Sequence, residues 1–134
     1  MANETVIVPI LEEADIVKAR QKGREIASDL GFSVTDQTLL ATAISEVSRN
    51  IIEHAGSGEV ALCRTANHQR IGIVVVARDR GPGIRDLALA MRDGYSGAGS
   101  LGLGLPGAKR LVDEFKLEST LGTGTTITMS KWLR

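Results

Sequence analysis

The chain has 134 residues, 15 of them glycine, and its 16 Lys and Arg residues balance its 16 Asp and Glu residues. Zero formal net charge argues against a general nucleic-acid binder, and no apolar run approaches the ~18 residues of a membrane helix. With 43% hydrophobic residues the chain can fill the core of a single domain over residues 1–134, and its one cysteine, Cys63, favours a reducing cytoplasm.

Hydrophobic periodicity and turn residues divide the chain into helices and strands. In the first half of the chain the pattern predicts a strand over 5–10, a helix over 12–30 that stops at Gly31, and a second helix that starts at Thr35 or Asp36 and breaks at Gly56. It then predicts strands over 59–66 and 70–79, helices over 86–92 and 105–114, and strands over 115–121 and 125–133. Pro9 suits an edge strand, and the continuous apolar run from Ile73 to Ala77 suits a central one. This order predicts an α/β (α+β) fold: a two-layer sandwich with a mixed, mostly antiparallel sheet, helices on one face and the ligand site between the layers.

The glycines are unevenly distributed. Ten of the fifteen lie between Gly81 and Gly124, most of them in short clusters. Glycine permits tight turns and a close approach of the backbone to a ligand. The clustering is therefore the first functional signal in the sequence.

The second predicted helix carries a polar pair, Glu46 and Asn50, at the border of its apolar stripe. Residues four apart lie one above the other on a helix, so both side chains face the same interface. A carboxylate can accept a proton, and an amide oxygen can ligate a hard cation such as Mg²⁺. The alternative is an ordinary solvated helix face.

Asp79 directly follows the most apolar strand and precedes Gly81 and Gly83. A carboxylate held at a strand end can accept a hydrogen bond from the exocyclic amine of a ligand, and the two glycines allow the backbone to approach a flat base. The alternative is a simple turn at the exit of the strand.

Residues 94–104 read GYSGAGSLGLG, which predicts a mobile lid or, alternatively, a flexible surface loop. The segment leads into the helix that starts near Leu105. Backbone N–H groups at a helix start bind phosphate, which points to Gly102 and Gly104. Further on, the hydroxyl of Thr125 beside the turn at 122–124 can reach a nucleotide, or the turn can simply join two strands.

Taken together and in this order, these pieces resemble the nucleotide site of the GHKL ATPases. Glu46 and Asn50 match the E-x-x-x-N of the N-box, Asp79, Gly81 and Gly83 match D-x-G-x-G, Gly102 and Gly104 match the second glycine box, and GTGT at 122–125 matches the third. Within that superfamily the chain is similar to the bacterial anti-sigma-factor serine kinases, above all the RsbT-type switch kinases of the stressosome pathway. The narrower match rests on AISEVSRNIIEHA at 43–55, SLGLGLPGAKRLVDEF at 100–115 and the closing KWLR.

The resemblance implies a role for each matched residue. Asp79 would bind the adenine amino group, with Gly81 and Gly83 beside it and Thr125 near the base. Asn50 would ligate the Mg²⁺ that bridges the phosphates of ATP, and Gly102 and Gly104 would receive those phosphates. Glu46 would be the general base for a serine hydroxyl on a partner protein.

The resemblance implies an ATP- and Mg²⁺-dependent protein serine/threonine kinase. Its substrate would be a STAS-domain antagonist, and its scaffold would be the stressosome. It would act by partner switching in a stress-response sigma-factor cascade, and it would also bind and activate a PP2C-type phosphatase. The alternative is a nucleotide-gated binding module that activates that phosphatase, with kinase activity secondary.

Overall fold

The structure, a computed structural model, describes residues 5–83 and 104–134. In chain order its elements are β1 (Thr5–Ile10), α1 (Glu13–Leu30), α2 (Val34–Ala55), β2 (Gly58–Asn67), β3 (Arg70–Asp79), α3 (Gly104–Leu111), β4 (Glu114–Thr120) and β5 (Gly124–Trp132). The helix predicted for residues 86–92 lies outside the described residues. Within the described part of the chain, no helix combines the length and apolarity needed to cross a membrane.

The strands form one sheet in the order β1-β2-β3-β5-β4. The apolar strand β3 lies in the middle, and β1, with its Pro9, lies at an edge, as the sequence predicts. All four pairings between described strands are antiparallel, so the antiparallel part of the predicted mixed sheet is confirmed. The long connection between β3 and β5 passes through α3 and the hairpin strand β4.

The helices form the second layer of the predicted sandwich. α1 and α2 pack against each other and against β1, β2 and β3, and α3 packs against α2. Between the layers lies an aliphatic core that includes Ile44, Leu62 and Val75, each of which is 0% exposed. Gly23 lets the helices approach, because a Cβ at this position would lie 2.2 Å from Cδ1 of Ile44.

Two helix boundaries differ from those predicted from the sequence. The N-cap of α2 is Ser33, whose Oγ accepts a hydrogen bond from the Asp36 N–H at 3.1 Å, so the N-cap predicted at Thr35 or Asp36 is wrong. Asp36 does lie in the first turn, as expected. The last described helix ends at Leu111 and not at Glu114, because the N–H of Asp113 donates to the Ser130 carbonyl and draws the chain into the sheet.

Candidate functional site

Asp79 is buried at the end of β3, with 6% of its surface exposed. Its Oδ1 accepts two backbone hydrogen bonds, from the N–H of Gly81 at 2.9 Å and from the N–H of Thr125 at 3.2 Å. Both bonds end on the same oxygen. Within residues 5–83 and 104–134, the other carboxylate oxygen, Oδ2, accepts no hydrogen bond.

The glycines around Asp79 are packed against other parts of the chain. A Cβ at Gly81 would lie 2.5 Å from Cβ of Ala55, at the end of α2, and a Cβ at Gly83 would lie 2.6 Å from the Thr120 carbonyl oxygen. The strand exit therefore touches both α2 and the β4–β5 hairpin. This packing requires glycine at both positions whatever ligand binds there.

Thr125, predicted to lie near the adenine, is in contact with Asp79 through its backbone N–H. It is 2% exposed, and its hydroxyl lies 2.9 Å from the hydroxyl of Ser119 on the neighbouring strand. Sequence analysis missed Ser119. Ser119 could be recognised only by its position opposite Thr125 in the hairpin, and that position follows from the register of β4 and β5.

Glu46 and Asn50 lie on α2 and are buried, with 7% and 6% of their surfaces exposed. This degree of burial contradicts the alternative that they form an ordinary solvated helix face. Oε1 of Glu46 is paired with Nη1 of Arg49 at 3.1 Å. Burial raises the pKa of the Glu46 carboxyl, while the positive charge of Arg49 acts in the opposite direction.

The segment after Asp79 contacts the C-terminal end of α2, the helix that carries Asn50 and Glu46. Gly81, two residues after Asp79, touches the last turn of the helix at Ala55. At 1.5 Å per residue, Asn50 lies about 7.5 Å and Glu46 about 13.5 Å back along the axis from Ala55. Counted from the end of α2 that Gly81 touches, Asn50 therefore comes first and Glu46 second.

The helix α3 begins at Gly104, which has a φ of 54°, and includes Pro106 in its first turn, as predicted. Because α3 packs against α2, the N-terminus of α3 lies in the same layer as Glu46 and Asn50. Gly102 and residues 94–103 of the expected lid lie outside the described residues.

A groove of about 310 Å³ at the same end of the sheet meets this arrangement at Asp79, which is one of its lining residues. Its walls include Arg78, Glu118 and Thr126, which pair across β3, β5 and β4. These residues alternate with buried positions such as Thr125 and so point away from the helices. Most of the groove therefore opens on the outward face of the sheet, and Asp79 borders it.

Residues 11–131 match the family described as histidine kinase-like ATPase domain. The chain belongs to this family. This histidine kinase-like ATPase domain is 49% identical in sequence to the serine/threonine-protein kinase RsbT of Bacillus subtilis, over 98% of this chain and 99% of that protein. It is also 30% identical to an anti-sigma F factor of Clostridium acetobutylicum, over 84% of this chain and 82% of that protein. The identity to RsbT places it with the serine/threonine-protein kinases of the RsbT type.

Solved structures share the fold of this histidine kinase-like ATPase domain. One contains the RsbU and RsbW domains of a Mycobacterium tuberculosis protein, with a TM-score of 0.68 and 19% identity. The match covers all of this chain and 33% of that longer chain. Another is the mycobacterial sensor histidine kinase MprB, with a TM-score of 0.57, 23% identity and 99% of both chains covered. The predicted two-layer sandwich of the GHKL type is confirmed.

Proposed function

We propose that this protein is a Mg²⁺-dependent kinase that transfers the γ-phosphate of ATP to a serine of a STAS-domain antagonist. The observation that carries the proposal is the order of three buried polar side chains: Asp79 at the end of β3, beside the C-terminal end of α2, then Asn50 and then Glu46 along α2. That order matches the adenine base and the phosphates of an extended ATP molecule, followed by the acceptor hydroxyl of the partner protein.

At the base end, Asp79 supplies the specificity for adenine. Its Oδ2 accepts a hydrogen bond from the exocyclic amino group, while Oδ1 is held by the N–H groups of Gly81 and Thr125. A carboxylate fixed by two backbone donors needs little reorganisation when the base binds. Gly83 and Thr125 complete this end of the site.

Asn50 is the residue that would hold the magnesium ion. The described residues contain no group of three or more His, Cys, Asp or Glu side chains able to hold a metal. A single amide oxygen from Asn50 fits a Mg²⁺ ion that arrives with its nucleotide, because this ion takes one or two protein oxygens together with phosphates and waters. When bound, the ion neutralises charge on the phosphates.

Glu46 accepts the proton of the attacking hydroxyl. The serine oxygen forms a bond to the γ-phosphorus, the bond from that phosphorus to the β–γ bridging oxygen breaks, and ADP leaves. Burial raises the pKa of Glu46 toward the working pH, which improves a general base provided that it stays ionised. The guanidinium of Arg49, 3.1 Å away, favours the ionised form.

The identity of the partners is the finer part of the proposal. Similarity to RsbT and to anti-sigma F factors supports partner switching, in which an antagonist protein is bound or released according to its phosphorylation. We assign the substrate to the STAS class, the scaffold to the stressosome and the phosphatase to the PP2C class. We also assign the protein to the cytoplasm, where a free thiol such as that of Cys63 stays reduced.

Phosphotransfer from γ-labelled ATP to a purified STAS-domain partner tests the proposal. We expect label on a serine of the partner in the presence of Mg²⁺, and a loss of at least about a hundredfold in rate for Glu46→Gln. Glu25→Gln is the matched control, because Glu25 is 62% exposed on α1 and pairs with the exposed end of Lys22.

Phosphotransfer at the wild-type rate by Glu46→Gln would contradict the assignment of Glu46 as the general base. Absence of transfer by the wild-type protein, together with ATP-dependent activation of a PP2C phosphatase, would favour the nucleotide-gated binding module.

A further inference from the structure

Lys131 is a charged residue inside the fold, at a position outside the nucleotide site. It lies on the core-facing side of β5, and only 4% of it is exposed. Its neighbours along this face of the strand are Ile127 and Met129, which are each 1% exposed. A buried ammonium group requires polar partners to offset its lost hydration.

Both partners of Lys131 belong to helices that carry the site. Nζ donates to the carbonyl oxygen of Leu111 at 2.9 Å, and Leu111 is the last residue of α3. Nζ also lies 3.8 Å from Oδ1 of Asp36, in the first turn of α2. One ammonium group therefore connects the C-terminal end of α3 with the N-terminal end of α2.

The two contacts agree with the electrostatics of the helices. The last carbonyls of a helix carry partial negative charge and have no partner within the helix, so an ammonium group there satisfies one of them. Asp36 in turn carries a full negative charge. Replacing a buried ion pair by apolar groups is often neutral in stability, so stability alone does not account for a lysine here.

We propose that Lys131 is a positioning residue for the phosphate end of the nucleotide site. This inference rests on the proposed function. α3 has 8 residues and spans about 12 Å, so it moves as a unit, and fixing its C-terminal end also fixes Gly104 at its N-terminal end. Lys131 thereby sets where the backbone N–H groups that receive the phosphates lie relative to Asn50 and Glu46.

The test compares a ligand that reaches α3 with one that does not. Affinities for ATP with Mg²⁺ and for adenosine are measured by titration, using NMR for the weaker ligand. In Lys131→Met we expect the affinity for ATP to fall about tenfold while that for adenosine, held at Asp79, is unchanged. Lys116→Met is the control, because Lys116 is a 71% exposed lysine on the neighbouring strand, and both affinities should stay at the wild-type value.

A second variant keeps the test decisive if Lys131→Met does not fold. Asp36→Asn removes the charge that pairs with Lys131 but keeps the N-cap bond from Ser33, and we expect the ATP-to-adenosine affinity ratio to fall about threefold. An unchanged ratio in the folded variants would overturn the positioning role. Failure of the proposed function is distinguishable, because it would appear in the wild-type protein, as absence of phosphotransfer or of ATP binding, and not as a changed ratio between variants.

Discussion

Oδ1 of Asp79 accepts a hydrogen bond from the backbone N–H of Thr125, a residue 46 positions later in the chain. The same oxygen accepts the N–H of Gly81. The two bonds join the exit of β3 to the start of β5 and hold the carboxylate in place. Asp79 thus closes the fold locally and, in the proposed function, is also the group that recognises adenine.

Replacing Asp79 by asparagine separates these two roles. The amide oxygen can take the place of Oδ1 and accept both backbone N–H groups, and the amide nitrogen then takes the place of Oδ2. A donor would face the adenine amino group, which is also a donor. We expect ATP affinity to fall at least tenfold, since a hydrogen bond to a charged group contributes about 1.5–3 kcal/mol.

Calorimetric titration and thermal unfolding of Asp79→Asn check this expectation. The melting temperature should change by only a few degrees while the affinity falls. Asp29→Asn on the exposed surface of α1 is the control, because its side chain is 59% exposed. Wild-type affinity in Asp79→Asn would contradict the adenine role.

The two glycines of the β4–β5 turn should respond very differently to alanine. Gly122 and Gly124 both have positive φ, 81° and 136°. A Cβ at Gly122 would meet nothing within 4 Å, whereas one at Gly124 would lie 2.2 Å from the carbonyl oxygen of Asp79. We expect Gly122→Ala to cost about 1 kcal/mol of unfolding free energy and Gly124→Ala more than about 3 kcal/mol, measured by urea denaturation. Equal losses of unfolding free energy would show that the positive φ alone, and not the clash with the Asp79 carbonyl, determines the cost.

Local signals explain why much of the site was predictable. Glu46 and Asn50 lie within a long helical pattern, so their shared face follows from a spacing of four. Asp79 ends a continuous apolar strand, and a polar residue at such a strand end lies at the margin of the core. These positions depend on one element each, and the structure places all three as buried polar groups.

The positions that escaped prediction depend on partners distant in sequence. Ser33 replaced Thr35 or Asp36 as N-cap because the geometry of the turn after α1 selects among several capping residues. The end of α3 at Leu111 depends on Lys131 and Ser130, about twenty residues later. Ser119 acquires meaning only through its hairpin partner Thr125. None of these contacts leaves a periodic signal.

Ser48 offers a simple test of packing in α2. It is 0% exposed, and among the described residues its Oγ is the buried side-chain oxygen or nitrogen that lacks a hydrogen-bond partner. We expect Ser48→Ala to raise the unfolding free energy by roughly 0.5–1 kcal/mol, because it removes the desolvation cost of the hydroxyl. Ser45→Ala, which deletes a hydroxyl bonded to the Ala41 carbonyl, is the matched control and should not stabilise. Destabilisation by Ser48→Ala in urea denaturation would disprove the idea.

Glu46 should make the protein less stable at neutral pH than a neutral isostere would. Burial raises the pKa of its carboxyl above the value in the unfolded chain, so the folded state binds the proton more tightly. The resulting stabilisation is complete below the unfolded pKa and is lost as pH rises through the folded pKa. Glu46→Gln does not titrate, so its stability relative to wild type should increase from pH 4 to pH 7.5 while kinase activity is lost. Urea denaturation at both pH values measures the difference, in which the other carboxyls cancel. A relative stability that is constant or falls with pH would mean that Arg49 and the backbone N–H of Gly104, which favour the ionised carboxyl, together outweigh burial.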